Sequence, residues 1–153
     1  MLKNLVDTSY TDEERVEYCK TLKYILGSVV VSFSSLPADT WSKLLYVPKQ
    51  DVDQTLEDLH AILDILEDST RSVRTHYPSF RDFLLSKDRC GDTFWVDEKQ
   101  AHQTLADNCI QLMTASLKQD ICGVNAPGMF VTEIERYQVE RSLPPELQYA
   151  CLY

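Results

Sequence analysis

Glycine and proline are scarce in this sequence, which has four glycines and six prolines among its 153 residues. An all-β fold needs a turn every few residues, and turns concentrate these two residue types, so their scarcity argues against such a fold. Low-complexity tracts are missing as well, which argues against disorder. Because 44% of the residues are hydrophobic, the chain can fill a core. We expect a globular protein that is mainly α-helical.

Long hydrophobic runs and an excess of basic residues are also missing. The longest apolar run surrounds residues 29–31 and is far shorter than the roughly 20 residues that cross a bilayer. The N-terminus lacks the hydrophobic core of a signal peptide. With 24 acidic and 15 basic residues, the net charge is −9, which repels nucleic acids and anionic lipids. We therefore expect a cytoplasmic protein without a nucleic-acid or membrane partner.

The usual signatures of chemistry are weak. Five cysteines without a CxxC pair fit neither a disulfide framework nor a zinc site, so reduced thiols are expected. The histidines His60, His76 and His102 have no partner at i+4, and no glycine has the lysine and hydroxyl neighbours of a phosphate loop. The spacing of the cysteines and histidines does not exclude a catalytic Cys–His pair, although Cys109 and Cys151 resemble small apolar core residues. We expect no metal, no nucleotide bound by this chain alone and no enzymatic activity.

Three helices are predicted in the first sixty residues. The first runs from Asp12 to Phe33, with a short strand at its β-branched end as the alternative, and the second opens at Pro37 and ends before Pro48. The third follows Pro48. Its apolar residues recur at steps of four, three and four and would form one stripe on the helix: Val52, Leu56, Leu59 and Leu63.

A hairpin and a further helix are predicted next. Residues 62–66 and 73–75 flank a polar run, which is the pattern of a turn between two extended segments. Pro78 has a preset φ suited to a first helical position, and the apolar face of its helix would consist of Phe80, Phe83 and Leu84. Helix, hairpin, helix in this order is the back half of a winged-helix domain.

The last third of the chain is predicted to be helical after a loop at residues 88–92. Asp97 is a plausible N-cap for a helix to about Leu117, and a last helix is predicted from Glu146 after Pro144. The residues of the Asp97 helix spaced for burial are Ala101, Leu105, Ala106, Cys109, Leu112 or Met113, and Leu117. We divide the chain into a helical lead-in (1–21), a winged-helix domain (22–87) and a helical extension (88–153). The extension stops inside an apolar helical pattern, so we expect it to be truncated.

The third predicted helix is the one that a DNA-binding winged helix lays in the major groove. From Lys49 to Ser69 there are seven acidic residues against the single base Lys49, which would add repulsion from phosphate. DNA binding is therefore disfavoured. An autonomous winged-helix adaptor or transcription-related protein remains the alternative interpretation.

Several segments of the chain resemble a known family in that family's order. They are LGSVVVSFSSL, VPKQDVDQTLEDLHAILDI, HYPSFRDFLL, DRCGDTFWVDEKQAHQTLADNCIQLM, LKQDICGV and LPPELQYACLY. The chain resembles, from about Leu22 onward, the region that follows the NACHT domain in fungal STAND NTPases. These are NLR-like proteins of the vegetative (heterokaryon) incompatibility type, involved in non-self recognition and programmed cell death.

This resemblance implies a regulatory and scaffolding module with a winged-helix domain and the start of a helical domain. It implies as partners the NACHT NTPase domain and the C-terminal repeats of the same protein, and an oligomer in the active state. ADP or ATP would be bound only together with the NACHT domain. The family pattern His-x-Ser-Phe-x-Asp-Phe-Leu begins with a His that contacts the β-phosphate of ADP, and the matching position here is Tyr77. His76 lies one residue earlier, so Tyr77 and His76 are the candidate nucleotide-sensing residues.

Overall fold

The computed structural model describes residues 11–59, 63–64, 74–75, 78–125 and 128–153. Its helices are α1 (Asp12–Val31), α2 (Ala38–Leu45), α3 (Lys49–Asp58), α4 (Pro78–Leu85), α5 (Lys87–Phe94), α6 (Glu98–Ser116), α7 (Arg136–Ser142) and α8 (Pro145–Leu152). A 3₁₀ turn lies at Val131–Glu133. The mainly α-helical class predicted from the sequence is confirmed.

Two short strands pair between α3 and α4. They are β1 (Leu63–Asp64) and β2 (Arg74–Thr75), which run antiparallel with Leu63 opposite Thr75 and Asp64 opposite Arg74. The polar turn predicted at residues 67–72 lies outside the described residues. The chain forms two compact units, Met1–Leu105 and Ala106–Tyr153, and the sequence-based division at residues 21/22 and 87/88 stays a prediction.

Helix α1 begins at a capping box and ends in the core of the first unit. Thr11 Oγ1 accepts a hydrogen bond from the Glu14 backbone N–H at 3.4 Å, and the Glu14 carboxylate accepts one from the Thr11 N–H at 2.9 Å. The helix ends at Val31, two residues before the predicted Phe33. Residues 29–31 are helical, so the strand alternative is wrong. Buried β-branched side chains are compatible with a helix when packing compensates their weaker propensity.

Helices α2 and α3 supply the centre of this core. Trp41 and Leu44 on α2 are fully buried, and so is Val52 on α3. Pro37 and Pro48 stand at the N-caps of α2 and α3, so α2 opens at Pro37 and ends before Pro48 as predicted.

The prediction that Leu63 belongs to the α3 stripe is wrong, since Leu63 lies in β1. Helix α3 closes at Leu59, whose N–H donates to the Leu56 carbonyl at 3.1 Å in a tighter final turn. The other three stripe residues, Val52, Leu56 and Leu59, are buried. The helical step pattern continued past the point at which the backbone leaves the helix.

The loop predicted at residues 88–92 is also wrong, because these residues lie in α5. Gly91, with φ 72° and ψ 170°, divides α5 into two short turns. The Ser86 carbonyl accepts hydrogen bonds from the N–H groups of Arg89 and Cys90 at 3.0 and 3.1 Å. The segment reads as a loop in the sequence because its side chains at 87–89 are polar and exposed.

Helix α6 begins as predicted, with the Gln100 N–H donating to Asp97 Oδ1 at 3.1 Å. Leu105 and Cys109 are buried, whereas Ala106 and Leu117 are exposed, so their predicted burial is wrong. Two apolar stripes lie one residue apart along this helix. The sequence does not say which stripe faces inward.

The second unit, Ala106–Tyr153, ends in α8. This helix starts at Pro145, one residue before the predicted Glu146 and within the usual uncertainty of helix ends. Leu147, Tyr149 and Ala150 are buried there. Among the residues that the structure describes, none of the helices has the length and apolar content needed to cross a membrane.

Candidate functional site

The two predicted nucleotide-sensing residues, Tyr77 and His76, lie outside the described residues. The structure describes the residues on both sides of them: Thr75 ends β2, and Pro78 begins α4. The local frame of the candidate site is therefore the β2–α4 junction, and its geometry is set by how α4 is held.

Arg81 holds α4 against two other helices. Its Nε donates to the Val30 carbonyl at 3.2 Å, and its Nη2 donates to Glu98 Oε1 at 2.7 Å. Val30 lies in the last turn of α1, where carbonyl groups have no partner within the helix. The Arg81 side chain thus provides a hydrogen-bond donor for one carbonyl in the last turn of α1 and forms an ion pair with the first residue of α6.

The C-terminal half of α4 is fixed by burial and by backbone bonding. Leu84 is fully buried, and its carbonyl accepts a hydrogen bond from the Val96 N–H at 2.9 Å. The rings of Phe80 and Phe83 stack with centroids 6.3 Å apart. Helix α4 therefore has anchors along its length, and the segment that precedes it is attached to a well-supported helix.

In the acidic third helix, the lysine and the last carboxylate both have partners within the protein. Lys49 forms an ion pair with Asp39 at 2.5 Å, and the hydrogen bond with Asp39 raises the pKa of Lys49. The Asp58 carboxylate accepts hydrogen bonds from the Tyr18 hydroxyl and, at 3.0 Å, from Gln54. The single basic residue of α3 is thus directed to a protein carboxylate.

A cleft of about 320 Å³ lies between α1 and the start of α6. Lys20, Lys23 and Gly27 line it from α1, and Gln100 and Thr104 line it from α6. Trp95 lines it from the segment that joins α5 to α6. We call this feature the Lys–Trp cleft.

Hydrogen bonds hold the walls of the Lys–Trp cleft. Lys23 Nζ donates to the Asp92 carbonyl at 2.7 Å, and Thr104 Oγ1 donates to the Gln100 carbonyl at 2.9 Å. The backbone N–H of Trp95 donates a hydrogen bond to the Gly91 carbonyl at 3.0 Å. Lys20 pairs with Glu17 at 3.2 Å on the exposed side of α1.

The indole of Trp95 is further positioned by Lys87. Lys87 Nζ lies 5.1 Å from the centre of the Trp95 ring system, within the range of a cation–π contact. Lys87 also pairs with Asp92 at 2.8 Å. The hydrogen bond between them raises the pKa of Lys87 and lowers that of Asp92.

Sequence reasoning missed the Lys–Trp cleft. A signal was present, since Lys20, Lys23 and Gly27 are spaced by three and four residues and share a face of α1. Helical spacing does not show, however, that Trp95 returns to this face from a distant part of the chain.

The described residues hold no group of three or more His, Cys, Asp and Glu side chains that could bind a metal ion. All five cysteines are free thiols. Burial raises the pKa of Cys90 and of Cys109, which keeps both as neutral thiols near pH 7.

Comparisons of the chain with protein-family models, with curated proteins and with solved structures found no match.

Proposed function

We propose that this chain is the winged-helix domain and adjoining helical segment of a fungal STAND NTPase, and that it is a regulatory and scaffolding module. Its partners would be the NACHT NTPase domain and C-terminal repeats of the same protein, which would assemble into an oligomer when active. The pathway would be non-self recognition or programmed cell death signalling. The module would not itself be an enzyme.

The observation that carries this proposal is the position of the β1–β2 pair. Within the described residues it follows three helices and is followed by α4, which begins within the family-like segment HYPSFRDFLL. Three helices, two antiparallel strands and a further helix is the order expected of a winged-helix domain that continues into a helical domain.

The charge of α3 supports a protein-binding module over a DNA-binding winged helix. Asp51, Asp53, Glu57 and Asp58 oppose one lysine on this helix, and that lysine is paired with Asp39. Phosphate contacts would require basic residues that could release counterions.

The proposed mechanism has two states. ADP held between the NACHT domain and the β2–α4 junction would favour the closed state, and exchange for ATP would release the module for assembly. The Tyr77 hydroxyl would donate a hydrogen bond to the β-phosphate, in place of the His that the family pattern carries.

ADP retention in the longer protein tests this mechanism. There, Tyr77→Phe should weaken ADP binding modestly, by about the 0.5–1.5 kcal/mol of one hydrogen bond. Tyr77→His should strengthen it because a histidine can become cationic. His76→Ala is the control for the neighbouring position, and calorimetric ADP titrations provide the measurement.

A large loss with His76→Ala and no change with either Tyr77 variant would move the sensor to His76. The 153-residue chain alone should bind ADP weakly or not at all, since the other nucleotide contacts belong to the NACHT domain. Sequencing the transcript upstream of Met1 gives an independent test: a glycine-rich phosphate loop in frame would support the proposal, and a true start at Met1 would count against it.

A further inference from the structure

We propose that the Lys–Trp cleft is a binding site for a small aromatic carboxylate. The inference rests on the shape, the charge and the aromatic wall of the cleft, and it is independent of the function proposed above.

The shape of the cleft is set by close packing. A Cβ atom added at Gly27 would lie 3.3 Å from Val96 Cγ1 and 3.6 Å from the Ala101 Cβ, so α1 approaches the start of α6 closely enough that a side chain at residue 27 would be tight. The volume of about 320 Å³ is at the lower end of the roughly 300–1,000 Å³ of small-molecule pockets. It suits a ligand of one or two rings.

The residues that line the cleft include more basic than acidic side chains, in contrast to the chain as a whole. Lys20 and Lys23 lie one turn apart on the same wall of a protein whose net charge is −9. Lys23 is oriented by the Asp92 backbone carbonyl, and its charge also helps to lower the pKa of the Asp92 carboxyl, which does not line the cleft. The Lys20–Glu17 pair is exposed, and such pairs are weak enough to exchange.

One carboxylate in the cleft already has a structural partner. Asp97 lines the cleft, and its Oδ1 accepts the hydrogen bond that caps α6. The lining therefore contains two lysines and one acidic residue. An anionic group would be attracted to the side of the cleft on which the lysines lie.

The aromatic wall selects a flat ligand. The backbone of Trp95 is held by its hydrogen bond to Gly91, and Lys87 Nζ lies over the indole ring. Aromatic rings pack favourably against an indole in offset or tilted geometries. Gln100 and Thr104 on the facing helix supply the polar side of the same space.

The test uses benzoate as the ligand and the 153-residue chain as the protein. Each tryptophan gives one indole N–H signal in a ¹H–¹⁵N spectrum, and Trp41 is fully buried outside the cleft. Benzoate should shift the Trp95 signal in a saturable manner and leave the Trp41 signal in place. Trp95→Phe identifies which signal belongs to the cleft.

Charge variants separate a specific site from general attraction. Lys23→Met should weaken benzoate binding about three- to fivefold, as expected for loss of one exposed charge contact. Lys99→Met is the matched control, because Lys99 is an exposed lysine next to Gln100 that does not line the cleft. Its effect should be less than about twofold. Benzamide, which has the same ring without the charge, should bind more weakly than benzoate.

Three results would overturn the proposal. They are an unchanged Trp95 signal at millimolar benzoate, equal binding of benzoate and benzamide, and an equal loss of affinity in Lys23→Met and Lys99→Met. None of them bears on ADP retention at the β2–α4 junction, so this proposal and the proposed function can fail separately.

Discussion

Leu56 and Glu57 are neighbours on α3 with opposite environments. Leu56 is 3% exposed, between Val52 and Leu59 on the buried stripe, and Glu57 faces solvent. The sequence pattern predicted this contrast because the apolar residues recur at helical steps. The stability of α3 in its place depends on the buried residue.

We expect Leu56→Asp to unfold the first unit, since an unpaired carboxylate in the core costs more than about 3 kcal/mol. Glu57→Ala should change the free energy of unfolding by less than about 1 kcal/mol. Circular dichroism melts of both variants provide the measurement. Similar melting temperatures would mean that the faces of α3 are assigned wrongly.

Arg81 acts across three helices, through the Val30 carbonyl and Glu98. We expect Arg81→Met to lower the free energy of unfolding by about 1–2 kcal/mol, because two charge-assisted hydrogen bonds are lost at a partly exposed site. Arg89→Met is the control, as Arg89 is exposed on the neighbouring α5. Urea titrations compare the two. Identical midpoints would assign Arg81 no role in stability.

At the scale of the elements, α5 depends on an unusual backbone conformation at Gly91. With φ 72° and ψ 170°, Gly91 occupies a region that is nearly restricted to glycine. A Cβ atom there would meet nothing within 4 Å, so a substitution is opposed by the backbone alone.

Gly91→Ala should therefore destabilise the chain by about 1–3 kcal/mol without any steric clash. It should also displace Trp95, whose backbone N–H donates a hydrogen bond to the Gly91 carbonyl. Urea unfolding and the indole N–H shift of Trp95 measure the two effects, with Arg89→Ala as the neighbouring control. A fully stable Gly91→Ala protein would show that α5 can straighten at this position.

The elements that the sequence predicted well are those with local signals. Pro37 marks the start of α2, α2 ends before Pro48, and Asp97 caps α6 through a bond to a residue three positions away. These features depend on residues close together in the chain. They need no knowledge of the tertiary fold.

The predictions that failed depended on tertiary structure. The polar composition of α5 led to the prediction of a loop. Helix α6 has two adjacent apolar stripes, and which of them is buried depends on the elements that pack against the helix. Arg81 contacts residues 51 and 17 positions away, and the Lys–Trp cleft joins Lys23 to Trp95. Tyr77 and His76 stay predictions because they lie outside the described residues.

At the scale of the whole molecule, the net charge of −9 opposes the approach of polyanions such as nucleic acids. We expect no detectable binding to duplex DNA at physiological salt, since the third helix is acidic and its lysine is paired. A fluorescence anisotropy titration provides the measurement. Micromolar binding that weakens steeply with added salt would favour the autonomous winged-helix interpretation.

Exposed hydrogen bonds and ion pairs shift the pKa values of two carboxyl groups and two lysines. The Lys87 hydrogen bond lowers the pKa of Asp92 from 3.8, and Thr11 lowers that of Glu14 from 4.5. The unfolded chain therefore binds more protons in acid, and this stabilisation is lost as the pH falls below about 4. Lys49 and Lys87 have a pKa raised above 10.5, so their contribution is present below that value and is lost at higher pH.

We expect the melting temperature to be nearly constant between about pH 5 and 9 and to fall on both sides. Asp92→Asn should flatten part of the acid side, because it removes the carboxylate that Lys87 stabilises. Thermal melts across the pH range provide the measurement. A melting temperature that changes steeply within the plateau would point to a titrating group other than these.

The two bonds of Arg81 also give the β2–α4 junction a mechanical property. Arg81 follows Tyr77 by four residues in the sequence, and its guanidinium donates to a carbonyl in the last turn of α1 and to the first residue of α6. Rotation of α4 about its own axis would have to stretch or break one of these attachments. A movement of the junction that turned α4 would therefore be opposed at two places, the last turn of α1 and the first residue of α6.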